Sequence, residues 1–133
     1  MLLRTANCHD LPALHVIERS ATELYYEAGF SRTHVAPRSE ADMRHLLKYT
    51  TVLVAVDADE PIAYASYYAR GPFLHLEEIA VRRDHQRRGL GAQLLQPLLI
   101  DRRVGAVRVE ASIDLGEAPV DRLDEVRARL LQV

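Results

Sequence analysis

Apolar and polar positions change their spacing several times along this chain, and each change marks an element. Residues 2–5, LLRT, suit a short strand. From Leu11 the apolar positions are Leu14, Ile17, Ala21 and Leu24, the three- and four-residue steps of one helix face. Asp10 stands where an N-cap belongs, Pro12 falls in the first turn, and Gly29 predicts the end of that helix. Ser31 to Arg38 reads as loop. Ser39 predicts the cap of a shorter helix with Met43, Leu46 and Leu47 facing inward. TVLVAVDA is β-branched and apolar, DADEP is a turn, and IAYASYYAR returns as the second arm of a hairpin. Arg70-Gly71-Pro72 breaks the chain again before FLHLEEIAV, residues 73–81, a further strand. A helix is expected from about Gly89 to Arg102, closed by Gly105; VRVEAS, residues 107–112, is a strand, and the tail from Asp121 has helical spacing. The order β-α-α-β-β-β-α-β-α predicts a mixed α/β domain, one unit over residues 1–133, in which an antiparallel meander leads into a crossover helix.

The crossover carries the chemistry. A strand–helix–strand unit places the helix N-terminus at the carboxyl end of its first strand. There the helix dipole and the unpaired N–H groups of the first turn face outward, suited to phosphate. Gly89 and Gly91, in HQRRGLGAQLL, let the backbone approach a bulky pyrophosphate. Arg82, Arg83, Arg87 and Arg88 gather positive charge in a chain whose net charge is -2, so an anion site is local to this loop. Leu90, Leu94 and Leu98 form one row of the helix and Leu95 and Leu99 the next, so its other side is buried; Pro97 should bend it. Two familiar nucleotide loops are excluded. A P-loop needs Lys and Ser or Thr after its last glycine, where Ala92-Gln93 stand, and a dinucleotide fingerprint needs a third glycine where Leu94 stands.

Gln86-Arg87-Arg88-Gly89-Leu90-Gly91-Ala92, following a strand that ends Ile79-Ala80-Val81, resembles the acetyl-CoA loop of the GNAT superfamily of N-acetyltransferases, whose pattern is Q/R-x-x-G-x-G/A. The resemblance runs from about Leu3 to about Ser112. It implies a mostly antiparallel central sheet with flanking helices, here without the family's final hairpin. It also implies that acetyl-CoA is the cosubstrate, its pyrophosphate held by the loop from Gln86 to Ala92 and its pantetheine arm lying like a strand along Ile79, Ala80 and Val81. The acetyl group would pass directly to a primary amine of a small molecule or peptide. The alternative is a degenerate member that binds CoA or a protein partner without turnover. An alkylamine has a pKa near 10 and arrives protonated, so the reaction needs a base. Strand alternation places His75, Glu77, Ile79 and Val81 on one face and Leu74, Leu76, Glu78 and Ala80 on the other. Members of the superfamily often carry a catalytic Glu or His at the place of His75 or Glu77. Glu77 is therefore expected as base, with His75 as its partner through water. Glu78, among apolar residues, is the weaker candidate and a potential partner for an arginine; Glu110 is a further one. Tyr67 and Tyr68 should lie on opposite faces, one in the core and one beside the acceptor.

The resemblance lapses after Ser112. Superfamily members continue with a segment like A-x-x-F-Y-x-x-x-G-F, whose tyrosine protonates the departing thiolate; here Val120 and Asp121 follow Ala118-Pro119, and no Tyr or Phe follows Phe73. In the tail, Leu123, Val126, Leu130 and Leu131 share one side of a helix and Arg122, Arg127 and Arg129 the other. With VRVEAS left as an open edge, a homodimer is expected to cover it. Composition adds little: 48% hydrophobic and 27% charged residues suit a soluble globular domain. The lone Cys8 excludes an internal disulfide, and no apolar run or secretion signal is present, so the expected location is cytoplasmic, away from membranes. The six histidines show no metal-ligand spacing, and arginines confined to one loop with few aromatics argue against nucleic acid.

Overall fold

In a computed structural model of the chain, residues 1–33, 36–70, 73–100 and 106–109 are described. Five strands form one sheet: β1 (Leu2–Thr5), β2 (Thr51–Asp57), β3 (Glu60–Arg70), β4 (Phe73–Val81) and β5 (Ala106–Val109), in the order β1-β2-β3-β4-β5. The first four are antiparallel neighbours, and β5 lies parallel to β4. A parallel neighbour requires a crossover, and α3 (Leu90–Ile100) lies within it. Between β1 and β2 come α1 (Leu11–Glu27) and α2 (Glu40–Tyr49). The mixed, mostly antiparallel sheet expected from the sequence is present.

The β2–β3 turn is tight because Ala58 and Asp59 both take left-handed backbone, φ 48° and 64°, the conformation whose twist matches that of a hairpin. Side chains alternate across the sheet and so build two cores. On one face α1 and α2 supply Leu14, Ile17, Met43 and Leu46 against Val52, Val54 and Tyr64. On the other, Leu90 and Leu94 of α3 cover Ala55, Ile62, Ala63, Ala65, Leu76 and Val81. Both faces of β2 are covered, which explains its unbroken run of apolar residues.

The predicted helix signals hold at α2, where the Ser39 side chain accepts a hydrogen bond from the Asp42 N–H. They hold in part at α1. Asp10 occupies the N-cap position, yet its carboxylate is turned to other work: it receives two hydrogen bonds from Arg4, at 2.7 and 2.8 Å, and one from the Asn7 N–H. Arg4 and Asp10 thereby tie β1 to the start of α1. Leu24 is an exposed position rather than an inner one. It lies ten residues beyond Leu14, about 80° around a helix of 3.6 residues per turn. The buried row instead runs Leu14, Glu18, Thr22.

Strand β4 departs from simple alternation. Ser66 pairs with Glu78 and Tyr67 with Leu76, so the register shifts and Glu77 is an extra residue on β4, a β-bulge. Beyond a bulge the faces exchange. His75 and Glu78 therefore both lie on the α1/α2 face, opposite Tyr68 and Ser66, whereas Leu76, Ile79 and Val81 pack toward α3. The expected grouping of His75 with Ile79 and Val81, and of Glu78 with Leu76, is corrected accordingly. Glu110, Gly105 and the segment from Ser112 to Val133 lie outside the described residues, as do the side chains of Leu98 and Leu99.

Candidate active site

Two features meet at the bulge. The first is a cleft edge. Strand β3 pairs with β4 along its whole length, from Phe73 to Val81, but the β5 ladder covers only Phe73 to Leu76. Among the described residues, the β5 ladder does not extend along the stretch from Glu78 to Val81. Its backbone leads directly to the glycine loop. The Gln86 side-chain amide donates to the Val81 carbonyl at 2.9 Å, fastening the loop to the strand end.

Arg87 and Gly89 both adopt left-handed backbone, φ 62° and 76°. Alternation of left- and right-handed residues turns successive N–H groups to the same side, an anion-binding arrangement. The Gln93 N–H donates to the Gly89 carbonyl at 3.1 Å, opening the helical ladder of α3, so the N–H groups of Leu90, Gly91 and Ala92 stand ahead of it. Gly91 is buried in the first turn of α3 and does not share the left-handed conformation of Gly89. The four arginines divide. Arg82 is engaged by Glu60 and Asp84, and Arg83 by Glu27. Arg87 and Arg88 are exposed and form no ion pair among the described residues. The charge left for an anion is therefore at the turn itself.

The second feature is a buried polar cluster on the α1/α2 face. The Tyr64 hydroxyl donates to Glu18 at 2.6 Å, and the Arg38 backbone N–H donates to the other oxygen of Glu18 at 3.3 Å. Arg38 Nε donates to Glu78 at 3.2 Å. Two carboxyls thus converge on one arginine, Glu78 on its side chain and Glu18 on its backbone N–H. Burial, and then the negative charge of Glu18, push the Glu78 carboxyl up to about 7; Arg38 pulls the other way and does not win. Burial and Glu18 likewise raise Tyr64 well above the ordinary phenol. Ser66, directly opposite Glu78, is fully buried, and its Oγ has no hydrogen-bond partner among the described residues. His75 is buried beside them and stacks on Tyr68, with ring centroids 4.9 Å apart. Tyr67 packs against the α3 core on the opposite face, so the two tyrosines diverge as expected. Glu77, at the bulge, is half-buried.

Sequence reasoning singled out the loop, His75, Glu77 and Glu78. It did not single out Glu18, Arg38, Tyr64 and Ser66, which the structure gathers around Glu78. The signal for Glu18 was present: it sits four residues after Leu14 and four before Thr22, on the row that packs inward. Among the described residues, no three His, Cys, Asp or Glu side chains are close enough to hold a metal ion, and no helix is long and apolar enough to cross a membrane.

The chain belongs to the acetyltransferase (GNAT) family, whose model matches residues 7–118. Solved structures share the fold. The ribosomal-protein-S18-alanine N-acetyltransferase of Escherichia coli is 26% identical with a TM-score of 0.59, over 74% of this chain and 56% of that one. This chain therefore spans little more than half the length of that enzyme. A tetramutant of the BH1408 protein of Bacillus halodurans, 16% identical, aligns over 98% of this chain and 92% of that one at a TM-score of 0.67. The PaiA N-acetyltransferase of Thermoplasma acidophilum, solved in complex with coenzyme A, is 14% identical with a TM-score of 0.60, over 74% of this chain and 69% of that one. No curated protein sequence matches the chain.

Proposed function

We propose that the protein is an acetyl-CoA-dependent N-acetyltransferase acting on a primary amine of a small molecule or peptide. The observation that carries this reading is the β4 edge from Glu78 to Val81, unpaired toward β5 among the described residues and leading into the amides ahead of α3. Residues 87–92 fit a pyrophosphate, with Arg87 and Arg88 supplying charge, and the open edge fits the amide-bearing pantetheine arm. Gln86 acts as the brace of the loop. When bound, acetyl-CoA would supply a thioester whose C–S bond breaks as the C–N bond to the amine forms, the CoA thiolate leaving and taking a proton from water. The task of this chain is to take the proton that the amine gives up.

Glu78 suits that task better than Glu77. Its carboxyl titrates near 7, it lies in a sheltered cluster, and it shares its face with His75. A base is most effective when its pKa lies near the working pH. A homodimer and a cytoplasmic location, both expected from the sequence, belong to the same proposal; light scattering tests the first.

The test is thiol release from acetyl-CoA in the presence of an alanine-N-terminal peptide, a lysine peptide and spermidine. Release that depends on one of these amines supports the enzyme. Thermal stabilisation by CoA with no release from any amine would favour a binding module.

A further inference from the structure

The cluster around Glu78 holds more than a base needs. A lone buried carboxyl, or one simple ion pair, would suffice for proton transfer. Here a second carboxylate and an arginine flank it from different elements. Among the described residues, the charged groups acting on Glu78 are Glu18 from α1 and Arg38 from the segment before α2; Tyr64 from β3 hydrogen-bonds Glu18, Tyr68 and His75 lie on the same face of the sheet, and His15 lies on α1 three residues before Glu18. The neighbouring residues of α2, Met43 and Leu46, are apolar. Arg38 touches both carboxylates, Glu78 through its side chain and Glu18 through its backbone N–H. Tyr64 holds Glu18 in place from the sheet side.

We infer that Arg38 and Glu18 are opposed positioning residues that together set the charge on Glu78. The guanidinium holds the carboxylate form, and the Glu18 carboxylate resists it. The inference rests on the reading of Glu78 as the base, and neither Arg38 nor Glu18 needs to touch substrate. Removing one cation or one anion beside a shielded carboxyl must move its titration in opposite directions, which a merely structural role does not do. The two residues are 20 positions apart in sequence and meet only in the fold.

The experiment follows the side-chain carboxyl carbons of ¹³C-glutamate-labelled protein through a pH titration, with the Glu78 signal assigned by its absence in Glu78→Gln. In Arg38→Met the Glu78 midpoint should rise by about one pH unit or more, and in Glu18→Gln it should fall by a similar amount. Arg38→Lys, which keeps the charge, should restore a midpoint near that of the unsubstituted protein. Glu18→Gln keeps an acceptor for the Tyr64 hydroxyl, so the fold should survive even where Arg38→Met does not. Midpoints that move the same way, or not at all, overturn the inference. The acid limb of acetyl transfer to an alanine-N-terminal peptide separates the two readings. Opposite carboxyl shifts with an unmoved acid limb leave the charge balance standing and remove Glu78 as the base.

Discussion

At the residue scale the adjacent glutamates 77 and 78 have different environments. Glu78 is half-buried and accepts a hydrogen bond from the Arg38 side chain, whose backbone N–H holds Glu18, whereas Glu77 occupies the extra position of a bulge. A base must be ionised to accept a proton, so a carboxyl at about 7 predicts activity that falls roughly tenfold per pH unit below that value. Glu78→Gln keeps the size and loses the proton acceptor; kcat/KM should drop by roughly 10²–10⁴, with the residue of activity rising with pH as free amine becomes available. Glu77→Gln should cost far less, and the reverse ranking in a steady-state assay at pH 7.5 would move the base to Glu77. The sequence named both glutamates and favoured Glu77, whereas the proposal made from the structure favours Glu78. Alternation along LHLEEIAV assumes a period of two throughout, and nothing in those residues marks the inserted one. Arg38 was hidden for a different reason: its partner is 40 residues away, and only folding sets the two side by side.

At the element scale the site is the junction of β4, the loop and α3, and this was the most legible part of the chain. Glycines, arginines and the leucine rows of a helix sit in adjacent residues, so the local sequence contains the whole unit. The structure adds that the turn depends on one glycine in left-handed backbone, Gly89, and on Arg87, a side-chain-bearing residue in the same conformation. A Cβ at residue 89 meets nothing within 4 Å, so the cost of substitution there is backbone strain alone. Left-handed backbone costs an L-residue about 1–2 kcal/mol, and a β-branched one is stiffer still. Gly89→Val should therefore weaken CoA binding about tenfold or more by calorimetry while the sheet stays folded. Arg87→Gly relieves strain and removes charge. It should leave thermal stability equal or higher and reduce CoA affinity, most visibly at low salt. If both variants bind CoA as the unsubstituted protein does, the loop is only a turn.

At the scale of the whole molecule two carboxyls impose opposite pH responses. Asp10 is held below the usual carboxylate range, first by its hydrogen bonds from Arg4 and then by the Asn7 N–H. Its folded value is depressed, so the stability it contributes is present above about 3.8, the ordinary value, and is lost as pH falls through the folded one. Glu78 runs the other way. Its folded value is about 7 against an ordinary 4.5, so between those values the folded chain keeps a proton that the unfolded chain has released. Stability then declines as pH rises through that window and levels off above it, by on the order of 1–3 kcal/mol. Urea denaturation should find the protein less stable at pH 8 than at pH 5. Glu78→Gln mimics the protonated form and should be more stable than the unsubstituted protein at pH 8, narrowing that difference while abolishing most activity. Arg4→Met should instead lose stability at both pH values, because it leaves a nearly buried Asp10 carboxylate without its cation. A Glu78→Gln protein that is less stable at pH 8 by the same margin as at pH 5 would show that its burial carries no charge penalty. The gain expected instead is the signature of a group kept for chemistry at the expense of the fold.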